Sequence, residues 1–287
     1  MELKNIANTK FKDSFFTKLF SEPETILKLY NAVSGNGYPL DTPIQITTLA
    51  DVFYKGRYND LSFIIDGKLV VLIEHQSSVN PNMPIRLLLY LAKVYDRLIQ
   101  KNVYSSRLIK IPKPEFIVLY NGTETCPDES VLKLSDAFYE IPAEHKPNGS
   151  LELTAKVLNI NKGHNEAVVR ESTELGGYVD IVDEIRKNKE SGLSLDEAVE
   201  KAVRECAGRN ILSGFLERYG GEVLDMLYAE WNLEEYAAAQ RYEGLLEGLL
   251  EGKLTTARKA LKRGLKPIEV AEITDLPITE VEALGSD

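Results

Sequence analysis

Two carboxylates and an amide stand on either side of one tight turn. Asp60 lies six residues before Asp66 and Glu74 eight residues after it. Asp66-Gly67 between apolar runs is a strong short-range signal for a two-residue hairpin, so Asp60 and Glu74 are expected to lie close together across the ladder. Glu74 and Gln76 share one face because a strand has a period of two, which turns His75 to the other. Carboxylates brought together at the end of a buried strand repel each other unless a cation sits between them. An all-oxygen donor set favours a hard ion such as Mg²⁺, with Mn²⁺ as a substitute, because Mg²⁺ takes few protein ligands and keeps several waters. The Gln76 amide is then placed to orient an attacking water through hydrogen bonds. The competing reading is a pair of ordinary solvated strand-end carboxylates with a structural histidine between them.

These residues need a scaffold, and the sequence outlines one. Thr9 to Asn31 has apolar residues at helical spacing, with Pro23 interrupting it or starting a second helix. Ile44 to Tyr54, Tyr58 to Ile65 and Lys68 to Ile73 read as strands, the last a nearly continuous apolar run of the buried central kind. Pro84 suits a first helical turn, and Ile85 to Gln100 is strongly amphipathic. Glu115 to Tyr120 and Leu151 to Ile160 read as further strands, and the polar stretch Cys126 to Ser150 between them as an extended surface connection. From about Glu171 onward strand signals vanish. Leu195 to Cys206, Ile211 to Tyr219, Gly221 to Trp231 and Leu233 to Leu261 read as helices, followed by two short ones around Asp275-Leu276-Pro277. Gly244, Gly248 and Gly252 form a glycine stripe that permits close approach of another helix, or is merely tolerated on a surface.

Composition excludes several classes. Apolar residues at 44% and charged residues at 27% are ordinary for globular proteins. No apolar run approaches the ~18 residues that span a bilayer, and the polar start Met1 to Lys12 does not read as a signal peptide, so the expectation is a cytoplasmic protein with no membrane partner. Cys126 and Cys206, with no CxxC spacing, argue against a disulfide framework and a zinc site. The net charge of −10 is unevenly spread: Met1 to Thr125 carries 15 Lys/Arg against 12 Asp/Glu, and the remainder 19 against 32. A nucleic-acid partner is therefore not excluded, because phosphate affinity depends on local patches rather than the total.

The pattern resembles the PD-(D/E)xK nuclease fold, whose core is α-β-β-β-α-β with Asp on the second strand and Glu-x-Lys on the third. More narrowly, the sequence is similar to a bacterial family of recombination-promoting nucleases and transposases called YhgA-like. The likeness is carried by Asn59-Asp60-Leu61-Ser62-Phe63, Val71 to Ser78 (VLIEHQSS), Asn82 to Tyr90 (NMPIRLLLY), Leu158 to Asn165 (LNINKGHN) and the tail from Glu243-Gly244 to Glu251-Gly252. It implies an α/β restriction-endonuclease-like domain over 1–180 and an α-helical C-terminal region over 181–287 for self-association or accessory DNA contact, joined near Tyr178 to Glu190. It further implies a Mg²⁺-dependent DNA endonuclease linked to recombination or mobile DNA, with no small-molecule cofactor.

Within that resemblance Asp60, Glu74 and the backbone carbonyl of His75 become metal ligands. The bound metal would polarise the phosphate and acidify the attacking water. Gln76 stands where the wider fold has Lys and supplies hydrogen bonds without charge, and Asn59 replaces the leading proline. Arg86, Lys93 and Arg97 become phosphate contacts, Asp13 or Glu24 an accessory acid, and a homodimer the expected assembly for cutting both strands. Two other readings are a catalytically silent DNA-binding relative and a transposase proper; for the latter, no third acidic residue stands at a spacing characteristic of DDE enzymes. The basic run Arg258, Lys259, Lys262, Arg263 and Lys266 reads as a charged helix face or a DNA contact, and Pro267 to Leu284 has the outline of a helix-turn-helix.

Overall fold

The fold was obtained as a computed structural model, which describes residues 15–48, 60–100, 104–141, 149 and 151–284, with the backbone alone over 233–247. The chain divides into two compact units, Met1–Tyr228 and Ala229–Asp287. Residues 9–14 of the first expected helix, 49–54 of the first expected strand, and Asp13, Asn59 and His145 lie outside the described residues.

The first unit is a mixed α/β assembly on an open six-stranded sheet. Helices α1 (Phe15–Leu19) and α2 (Pro23–Ser34) come first, and Pro23 starts the second helix, where its missing N–H costs nothing. Strands β1 (Ile44–Ile46), β2 (Leu61–Ile65) and β3 (Leu69–Gln76) follow, then helix α3 (Met83–Ile99) and β4 (Lys113–Tyr120). β5 (Glu129–Lys133), a 3₁₀ turn (Leu134–Ala137) and β6 (Thr154–Asn159) complete the sheet. Its order is β1-β2-β3-β4-β6-β5: β1, β2 and β3 pair antiparallel, β3, β4 and β6 parallel, and β5 antiparallel to β6. Asp66 and Gly67 both adopt positive φ (47° and 63°), as the tight hairpin between β2 and β3 requires.

The sheet is covered on both faces. Met83, Leu87, Tyr90, Leu91 and Val94 of α3 pack on Val70, Leu72, Val118, Tyr120, Ala155 and Val157. On the opposite face Phe16 of α1 stacks on His75, and Tyr30 of α2 meets Phe63 edge-on. Helices α4 (Glu166–Glu171), α5 (Thr173–Glu190) and α6 (Leu195–Gly208) follow the sheet. Tyr178–Glu190, the expected joint, lies within α5, which buries Tyr178, Ile181, Val182 and Ile185. Helix α6 begins with a reciprocal capping box between Ser194 and Glu197.

β3 runs through Gln76, so that Glu74 and Gln76 share a strand face, with β4 as its parallel partner as far as Tyr120. Two expectations change. Residues 129–133, expected as part of a surface connection, form edge strand β5, whose alternating half-exposed pattern has little apolar signal. The three helices expected over 211–261 are one helix, α7 (Ser213–Lys262). Gly220-Gly221 costs at most ~2 kcal/mol of helix propensity, and no proline breaks the run.

The second unit holds the end of α7 with α8 (Pro267–Thr274) and α9 (Ile278–Leu284), around Ala257, Val270, Leu276 and Val281. The two short helices fall where the sequence puts them. A Cβ at Gly248 or Gly252 would meet nothing within 4 Å. No described helix is long and apolar enough to cross a membrane.

Just beyond β4, Gly122 passes against the chain leaving β3: a Cβ there would stand 2.0 Å from the Ser77 carbonyl oxygen. Gly122→Ala should therefore lower stability by about 1–3 kcal/mol, read as a drop in Tm. Gly37→Ala, with open space around it, should leave Tm nearly unchanged.

Candidate active site

β2 and β3 pair in the register Leu61 with Ile73 through Ile65 with Leu69. One further step sets Asp60 opposite Glu74. The backbone holds them there: Asp60 Oδ2 accepts the His75 N–H at 2.6 Å, and the Asp60 N–H reaches Glu74 Oε1 at 3.4 Å. β2 begins only at Leu61, so the Asp60 side chain stands in for a strand neighbour and satisfies a backbone donor.

Glu74 is 1% exposed and shares its face with Val70 and Leu72, towards α3. Arg86, in the first turn of α3, donates from Nη2 to Glu74 Oε2 at 3.0 Å and to the Tyr90 hydroxyl at 3.3 Å. Its Nη1 rests against Met83 Sδ at 3.4 Å. The Gln76 amide nitrogen donates to the His75 carbonyl at 3.0 Å. His75 itself faces the other way. Its ring lies 4.8 Å from Phe16, and its Nε2 is 3.0 Å from the Tyr178 hydroxyl. Burial, assisted by the charge of Arg186, depresses its pKa to about 4, so the ring is neutral at neutral pH.

Burial also sets the state of the acids. It drives the Asp60 carboxyl up to about 6, against the pull of the His75 N–H and the Arg86 charge. Glu74 is raised well above the usual carboxylate range by burial first and by the negative charge of Asp60 second, with Arg86 opposing. Among the described residues the Arg86 guanidinium thus offsets only part of the repulsion between half-buried Asp60 and buried Glu74.

The donor set is compatible with a hard cation. The Asp60 and Glu74 carboxylates and the His75 carbonyl are all oxygen donors. The C=O of His75 lies on the same strand edge as the N–H that Asp60 caps. Among the described residues no group of three His, Cys, Asp or Glu could hold a metal. A cation here would therefore complete its shell with carbonyl oxygen and water, as Mg²⁺ commonly does.

The other expected residues scatter. Lys93 and Arg97 lie seven and eleven positions after Arg86, on one stripe of α3, with Arg97 exposed and roughly 16 Å along the axis at 1.5 Å per residue. Glu24, at the start of α2, pairs with Lys28 at 2.7 Å. Asp13 lies outside the described residues.

A brace behind the site escapes sequence reasoning. Arg186 of α5 donates to Asn161 Oδ1 at 2.6 Å, to Asn121 Oδ1 at 3.1 Å and to the Asn121 carbonyl. Asn161 Nδ2 in turn donates to the Gly122 carbonyl at 3.0 Å and to Asn159 Oδ1 at 2.9 Å. Together they tie the ends of β4 and β6, giving part of the LNINKGHN motif a structural role. Asn121 is visible in sequence only as a turn former, Asn161 also as part of LNINKGHN, and Arg186 carries no signal at all.

A carboxyl whose folded pKa lies above its unfolded value contributes stability that is present below the unfolded pKa and lost as pH rises through the folded one. For Asp60 that window runs from about 4 to about 6. Asp60→Asn, which keeps an acceptor for the His75 N–H, should stabilise the metal-free protein above pH 6 by on the order of 2 kcal/mol and add little at pH 4. Chemical denaturation at both pH values checks this; a gain at pH 4 as large as that at pH 8 would refute the assignment.

The comparisons with known proteins bear on the same segment. Residues 48–199 match the family described as "Putative transposase, YhgA-like". No curated protein and no solved structure matches the chain. The matched segment is more than half of the chain and contains β2, β3, α3, β4 and β6, so the chain belongs to the YhgA-like transposase family.

Proposed function

We propose that this protein is a divalent-cation-dependent DNA endonuclease of the PD-(D/E)xK kind, with Asp60, Glu74 and Gln76 at its centre. The observation that carries the reading is the apposition of half-buried Asp60 and buried Glu74 across β2 and β3, beside the His75 carbonyl. The order α2-β1-β2-β3-α3-β4 supports it, as does membership of a transposase family, whose members would act on DNA.

Each residue has a distinct task. Asp60, Glu74 and the His75 carbonyl would hold Mg²⁺ or Mn²⁺. That cation would supply Lewis-acid charge at the phosphate and a more acidic water. Gln76, anchored through its amide nitrogen on the His75 carbonyl, would accept a hydrogen bond from the attacking water with its amide oxygen. Arg86 supplies the positive charge that Gln76 lacks: it holds Glu74 in the resting protein and is within reach of a phosphate drawn to the pair. Lys93 and Arg97 continue that charge along α3 as backbone contacts. Two copies acting together would cut both strands.

A second reading has an observation of its own. Arg86 already occupies Glu74 Oε2 and the Gln76 amide covers the His75 carbonyl, an arrangement that a non-cleaving DNA-binding relative would also show.

Supercoiled plasmid incubated with the protein and Mg²⁺, Mn²⁺, Ca²⁺ or EDTA separates the two. Nicking is expected with Mg²⁺ or Mn²⁺ and not with EDTA. Loss of several kcal/mol of transition-state stabilisation predicts a fall of roughly 10³-fold in Asp60→Ala and Glu74→Ala. Binding without cutting would favour the silent relative, joined products would favour a transposase, and cutting that survives in both variants would remove the site assignment. Arg86→Ala should slow cleavage by on the order of 10²-fold, with partial recovery in Arg86→Lys. Independently, Mg²⁺ or Mn²⁺ should raise Tm more at pH 8 than at pH 5, because Asp60 and Glu74 must be ionised to bind it. Asp60→Ala should abolish that shift.

A further inference from the structure

Next to the acidic pair, on the α3 side of the sheet, lies a cavity of about 120 Å³. It opens at the carboxyl ends of the parallel strands β3, β4 and β6, the edge where open α/β sheets place their ligands. Its floor is apolar, formed by Val118, Tyr120 and Val157, and its rim is polar, with Gln76, Thr125 and Ser130. None of the described residues that line it carries a charge. Gln76 belongs both to this rim and to the acidic site, and Met83, which Arg86 touches, lines the cavity as well.

Those properties select a kind of ligand. A phosphate calls for guanidinium, ammonium or converging N–H groups, and the lining side chains supply no positive charge. An apolar floor with an aromatic ring, edged by an amide and hydroxyls, suits a flat uncharged heterocycle that is stacked or packed on one surface and hydrogen-bonded at its edge. The volume is about four times a water's share of the liquid, room for a group of single-ring size.

We propose that this cavity receives a nucleobase swung out of the strand being cut, so that the preferred substrate carries an unpaired pyrimidine beside the scissile phosphate. The inference rests on the nuclease reading above and adds a substrate class to it. Unstacking a paired base costs a few kcal/mol, and an already extrahelical base costs least. The same cavity therefore makes a bulged or mismatched site a better substrate than a continuous duplex.

The test uses the full chain with Mn²⁺ and two end-labelled duplexes, identical except for one bulged thymidine. Wild type is expected to cut within a nucleotide or two of the bulge about tenfold or more faster than the paired duplex. Ser130→Phe, on edge strand β5, and Thr125→Trp, at the exposed rim, should each fill the cavity and bring the ratio of the two rates towards one; thermal unfolding shows which variant has folded. Equal rates for wild type, or a preference that persists in a folded filled variant, overturn the proposal. Anisotropy in Ca²⁺ reads the cavity without cleavage: tighter binding of the bulged duplex, lost on filling, supports it, and equal binding overturns it. Failure to cut either duplex while the bulge is still bound more tightly counts against the nuclease reading alone.

Discussion

Asp60 and Glu74 are placed where like charges resist being placed. Their juxtaposition follows from the backbone: an Asp66-Gly67 turn of fixed length sets the register, and one more step along the ladder leaves the two acids facing each other. The surroundings then limit the cost. An N–H from β3 takes one Asp60 oxygen, a guanidinium from α3 takes one Glu74 oxygen, and β4 extends the sheet so that Glu74 sits within a strand rather than at a frayed end. Among the described residues one cation, Arg86, bonds the pair, and a single guanidinium leaves two apposed carboxylates incompletely compensated. That deficit is the physical basis for expecting a second positive charge to join it.

Alternation along β3 keeps this polar cluster from weakening the core. Val70, Leu72 and Glu74 face α3, so the acid lies at the end of an apolar row and takes its counter-charge from the helix that covers that row. His75 faces the other way, where Phe16, Tyr178 and burial hold it neutral. Neighbouring residues thus have opposite electrostatic assignments because the strand turns them to opposite sides. The asparagine and arginine brace at the ends of β4 and β6 fixes the same edge of the sheet from the α5 side.

What sequence shows and hides follows from range. The hairpin, the shared face of Glu74 and Gln76 and the inward turn of His75 depend on local chemistry and a period of two, and each is legible. Pro23 and Pro84 mark helix starts for equally local reasons. Arg86 is visible as a cation on an amphipathic helix, but its attachment to Glu74 depends on how α3 crosses the sheet. Arg186 meets Asn121 and Asn161 from 65 and 25 residues away, and no spacing rule reaches so far. β5 escapes because an edge strand need not be apolar, and the length of α7 escapes because glycine is a weak breaker.

One packing detail has a consequence for the order in which the molecule comes into being. His75 is held between Phe16, near the start of the chain, and Tyr178, 103 residues downstream of it. β3 also lacks its parallel neighbour until Lys113–Tyr120 has been made. During synthesis, which proceeds from the N-terminus, the β2–β3 hairpin and α3 that hold Asp60 and Glu74 emerge before β4, which flanks β3, and before α5, which backs His75. A truncated product ending before Tyr178 would keep the groups that bond Asp60 and Glu74 but lack the hydroxyl that backs His75.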